Sequence, residues 1–124
     1  MTKTARYAAL NALIAVLDPG GKVKIPQWSK PMTPRLVSTD TCILVGCLID
    51  ADGETEFALG KMLEVDPGRL PAFEGKLKTP TRRISLESVD GRTVLEAPVP
   101  QLETTVRIWT NHESEPDNVI VGFE

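Results

Sequence analysis

Polar and apolar residues alternate most cleanly over residues 82–97, RRISLESVDGRTVLEA. Ile84 and Leu86 fall on one side, and Arg83, Ser85 and Glu87 on the other, the period of a strand with one dry face. Asp90-Gly91 sits between two β-rich runs. Such a pair predicts a hairpin, because tight hairpin turns need positive φ, which Asp tolerates and Gly adopts freely.

The same reading places the other elements. In residues 3–17, Leu10, Leu13, Ile14 and Leu17 recur at i, i+3, i+4 and i+7. With the alanines at 5, 8, 9, 12 and 15, that stripe predicts an amphipathic helix, capped by Thr2 or Thr4 and ended by Pro19 and the Gly20-Gly21 pair. Residues 22–27 predict a short strand that Pro26 confines to an edge. Residues 28–35 form a proline-bearing loop that begins at Trp28, a candidate contact anchor.

Residues 42–49, CILVGCLI, have almost no polar alternation and predict a central strand covered on both faces. Further strands are expected over 54–59, 62–65, 72–77, 103–110 and 118–123. In the 103–110 strand, Val106 and Ile108 point inward, Arg107 and Trp109 outward. In the last strand, Val119, Val121 and Phe123 share one face. Seven to nine short strands at such intervals predict a mainly β chain: an antiparallel β-sandwich or small barrel with one N-terminal α-helix. The 124 residues read as one domain, 1–124, with a helix arm at 3–17 and a β body at 22–124.

Composition changes this picture little. Apolar (41%) and charged (25%) residues stand at ordinary globular levels. The longest apolar run is far shorter than the roughly 20 residues of a membrane span. The basic-then-apolar start of the chain is followed by Asp18-Pro19-Gly20-Gly21 without a small-x-small cleavage site, so a secretory signal is not expected. A net charge of −3 makes nucleic acid an unlikely partner. Cys42 and Cys47, if on one strand, face opposite sides with Cα atoms on the order of 16 Å apart, out of disulfide reach. Two reduced core cysteines fit an intracellular protein.

No catalytic signature emerges. His112 is the single histidine, in a polar loop, and no G-x-S-x-G occurs. Gly20-Gly21-Lys22 lacks the first glycine and the hydroxyl residue of a phosphate loop. Residues 50–53 begin like a calcium loop, D-x-D-G, but lack the remaining oxygen ligands. Two cysteines and one histidine do not complete a zinc set. The chain is therefore expected to be no enzyme, to hold no metal or cofactor, to take no small-molecule substrate and to act by binding. Charge is sorted along it: Arg69, Lys76, Lys78, Arg82 and Arg83 make a basic middle, and Glu113, Glu115, Asp117 and Glu124 an acidic end.

Two resemblances sharpen the expectation. The segments ARYAALNALIAVLDPGGKVKI, WSKPMTP, ILVGCLIDADGETEF and ISLESVDGRTVLEAPV, in that order, resemble small β-rich virion proteins of tailed phages. Family members usually carry an aromatic where Pro26 stands. That likeness implies a non-enzymatic structural subunit of a phage head or tail, made in the host cytoplasm. It would assemble with itself or with other virion proteins through Leu10, Leu13, Ile14 and Leu17, with Trp28 and Trp109 as anchors. The C-terminal half, with its hairpin, VRIWT strand and NHESEPDN loop, also resembles a competence-associated nuclease-inhibitor family. That likeness implies an acidic inhibitor or immunity protein of the bacterial cytoplasm. Its Glu113, Glu115 and Asp117 would imitate nucleic-acid phosphates and block a nuclease or other toxin.

Overall fold

A computed structural model describes residues 2–27 and 36–124. Trp28 and the rest of the 28–35 loop lie outside the described residues. Among the described residues, ten strands form two sheets. They are β1 (Lys3–Tyr7), β2 (Leu13–Leu17), β3 (Leu36–Ser38), β4 (Cys42–Gly46), β5 (Thr55–Lys61), β6 (Phe73–Lys78), β7 (Arg83–Glu87), β8 (Thr93–Pro98), β9 (Glu103–Thr110) and β10 (Asn118–Phe123). The first sheet runs β1-β5-β10-β9-β6 and the second β3-β4-β2-β7-β8. Pairing is antiparallel except for β5 with β10, which run parallel.

The core lies between the sheets. Phe57, Leu59, Leu77, Val106, Ile108, Val119 and Val121 come from the first; Ile14, Val16, Ile43, Val45, Ile84 and Leu86 from the second. Alternation along β7, β9 and β10 delivers the inward residues that the sequence predicts. All five residues of β4 are buried, as its unbroken apolar run predicts. Among the described residues no helix is long and apolar enough to cross a membrane.

The N-terminal helix is corrected. Residues 3–17 are two strands joined by a tight turn at Leu10–Ala12, where Asn11 and Ala12 both take φ of 57°. β2 sits in the middle of its sheet, between β4 and β7. Its alternation sends Ile14 and Val16 into the core and leaves Leu13 and Leu17 half-buried. Helix preference differs between ordinary residues by at most about 0.7 kcal/mol each. Fully burying one Ile or Val is worth about 1.5–3 kcal/mol, so tertiary burial wins. Leu10, Leu13, Ile14 and Leu17 thus share no helical stripe, and residues 3–17 supply two strands of the β body.

Two smaller expectations are also revised. Residues 22–27 join no sheet; the Lys24 N–H donates to Thr41 Oγ1 (2.8 Å) and the Thr39 hydroxyl to the Lys24 carbonyl (2.6 Å). Residues 62–65 form a one-turn helix, α1 (Met62–Val65), rather than a strand. It covers the outer face of the first sheet, where Met62, Val65 and Trp109 make a second cluster backed by Ile120.

Candidate partner-binding surface

β9 and β10 are neighbours, so the chain must reverse over residues 111–117 at one end of the first sheet. Asn111 shapes this reversal. Its Oδ1 accepts the Asp117 and Asn118 N–H groups (3.1 Å each), and its Nδ2 donates to Asp117 Oδ1 (2.6 Å). His112 fastens the outer part: its Nδ1 accepts the N–H groups of Ser114 (3.2 Å) and Glu115 (3.0 Å). These side chains replace the backbone partners a loop lacks, as Asx-type turns do.

The loop is also tied to the connection between β4 and β5. The buried Pro116 lends its carbonyl to the Leu48 N–H, and Asp117 lends its own to the Glu56 N–H, both at 2.8 Å. Asn118 Nδ2 donates to Glu56 Oε1 (3.3 Å). Residues 48–54 therefore run beside the acidic loop, with a 3-10 turn at Asp50–Asp52 and Gly53 at φ 133°. The two segments bring Asp50, Asp52, Glu54, Glu56, Glu113, Glu115 and Asp117 to one end of the molecule. Among the described residues, none of them has a cation within ion-pair distance.

The opposite end differs. There Lys76 pairs with Glu103 (3.6 Å), Lys78 with Asp40 (3.0 Å) and Arg83 with Glu96 (3.6 Å). The hydrogen bond and charge of Lys78 hold the Asp40 carboxyl below its ordinary range. Three cations at that end, Lys76, Lys78 and Arg83, have an acid within ion-pair distance, whereas among the described residues the acids of the 48–56 and 111–117 segments have no cation that close. Such a surface projects a negative potential, which draws in cationic partners and repels anionic ones. No three His, Cys, Asp or Glu side chains converge on a metal-sized point among the described residues.

The other residues marked in the sequence lie elsewhere. Ile14 is fully buried in the core, Leu13 and Leu17 are half-buried on β2, and Leu10 is in the turn before it. Trp109 does point outward from its sheet, but α1 covers it. It is 1% exposed, its Nε1 donates to the Arg69 carbonyl (2.8 Å), and it offers no free ring to a partner. Sequence reasoning missed the 50–56 acids as part of the surface. Their signal was the DADGETE run, weighed only as a calcium loop.

No family model matches the chain, and no curated protein matches it. Two solved structures share its fold. One is ComJ from Bacillus subtilis, an inhibitor of the DNA-degrading activity of NucA. It has a TM-score of 0.65 at 11% identity, over 98% of this chain and 93% of that one. The other is the crocagin biosynthetic gene J product, with a TM-score of 0.54 at 14% identity, over 99% and 97% of the two chains. Both likenesses span essentially whole chains, and at such identities they establish a shared fold. The resemblance to nuclease inhibitors is thereby carried to the level of the fold. The resemblance to phage virion proteins began with an Ala-rich helix, and that segment is a pair of strands.

Proposed function

We propose that this protein is an acidic inhibitor that binds a DNA-degrading enzyme and occludes its cationic substrate groove. One observation carries the reading: the 111–117 loop, the 48–54 connection and the start of β5 present seven carboxylates at one end, with no cation within ion-pair distance of them among the described residues. A nuclease groove is built to attract phosphates. Fixed carboxylates on a pre-shaped loop meet the same donors without the ordering cost that a mobile chain would bring. The fold shared with ComJ supports the choice of a nuclease as target. Bacterial cytoplasm suits this role, and the buried thiols of Cys42 and Cys47 suit that compartment.

The test is a DNA-cleavage assay with NucA of Bacillus subtilis and with the DNA-degrading nucleases of the cell that makes this chain. Near-stoichiometric inhibition that weakens steeply with added salt is the expected result. Full cleavage by every one of these enzymes at a tenfold excess of the chain would refute the reading.

A further inference from the structure

Beside the acidic loop lies a recess of about 310 Å³. Leu70, Pro71 and Ala72 line it together with His112 and Glu113, and Arg69 lines it too. Leu70 is 90% exposed, an unusual place for a large apolar side chain that no neighbour covers. Arg69 is held in place, with Nη1 donating to the Thr110 carbonyl (3.1 Å) and its own carbonyl fixed by Trp109. The recess therefore brings apolar and polar side chains together beside Glu113, with Arg69 fixed among them.

We propose that this recess seats an aromatic side chain of a cationic protein segment. The inference rests on the reading of the acidic end as a binding surface and names what that surface grips. Leu70 and Pro71 offer the apolar wall that a ring packs against, and Arg69 supplies a cation for its face. A partner lysine or arginine in the recess would meet the positive charge of Arg69, whereas an aromatic ring would gain from it. The lysines and arginines flanking that aromatic would face Glu113 and the acids beyond it. Such an anchor sets residence time, and the surrounding charge sets the rate of encounter. Bare nucleic acid and simple polycations lack this combination.

Two peptides test the idea, Lys-Lys-Trp-Lys-Lys and Lys-Lys-Ser-Lys-Lys, titrated into the isotopically labelled protein and followed by NMR. The tryptophan peptide should bind about tenfold more tightly, with shifts centred on residues 69–72 and 110–113. Leu70→Ser, a change at an exposed site that the fold does not need, should erase the difference and leave the salt dependence unchanged. Glu113→Lys should weaken both peptides alike. Equal binding of the two peptides, or a tryptophan advantage that survives Leu70→Ser, would overturn the proposal. Should the peptides behave as expected while no nuclease is inhibited, the inhibitor reading fails and the aromatic seat stands.

Discussion

Asp18 shows how much one side chain can hold. It is 2% exposed, at the end of β2, yet accepts the Gly20 N–H (2.8 Å), the Thr81 N–H (2.7 Å) and the Thr81 hydroxyl. Burial pushes its carboxyl up, but these donors outweigh burial and hold it below the ordinary range. A depressed folded value means stability that is present above the unfolded value, near 3.9, and lost as pH falls through the folded one. Asp18→Asn should cost about 1–3 kcal/mol at neutral pH in denaturant unfolding. The gap to the parent protein should close in acid below the unfolded value. Cys42 gives a second check. Burial, with the Glu87 charge adding, pushes its thiol up to about 11. A thiol-specific reagent at neutral pH should therefore label it only on unfolding. Gly122 is a third: a Cβ there would meet Met62 Sδ and Val65 Cγ2 at 3.0 Å. Gly122→Ala should lever α1 off Trp109 and cost about 1–3 kcal/mol, read as a red-shifted tryptophan emission and a lower Tm.

At the scale of elements, β2 and the acidic loop repay comparison. Ile14→Ala should cost about 2–5 kcal/mol, because the side chain is wholly enclosed in a central strand. Leu10→Ala should cost much less, since its side chain is only partly buried in the turn. A docking helix would have made the two alike. The strands legible in the sequence were those whose alternation marks the inward face, as in β7, β9 and β10, although Ser85 and Trp109 on the outer faces are buried too, or whose run is wholly apolar, as in β4. β2 escaped because LIAVL satisfies both periods over so short a span. What decides between them is pairing with β4 and β7, residues far along the chain. The hairpin was legible, but its turn is longer than the dipeptide suggests. Ser88 N–H bonds the Arg92 carbonyl, and only Gly91 takes positive φ, at 86°. The acids at 113, 115 and 117 could be named from sequence as a loop. Their union with Asp50, Asp52 and Glu54 could not, because it depends on the Leu48–Pro116 and Glu56–Asp117 backbone bonds across the two connections. Asn111→Ala removes the loop's organiser. Amide exchange at Asp117 and Asn118 should quicken while the strand core stays protected, and partner affinity should fall.

For the whole molecule, the sorted charge is the functional statement. A two-sheet sandwich ties two connections together at one end, and among the described residues their carboxylates have no cation within ion-pair distance. The opposite end holds lysines and arginines, three of them ion-paired, so charge is sorted between the two ends. The proposed inhibitor role requires the chain to compete with DNA for the same ground on a nuclease. The decisive measurement follows displacement of the fluorescently labelled chain from a nuclease it inhibits, as unlabelled duplex DNA is added under conditions that prevent cleavage. The account predicts full displacement, together with loss of both binding and inhibition in the Glu113→Lys, Glu115→Lys, Asp117→Lys variant. A stable ternary complex of chain, nuclease and DNA, or inhibition untouched by the three reversals, would contradict it.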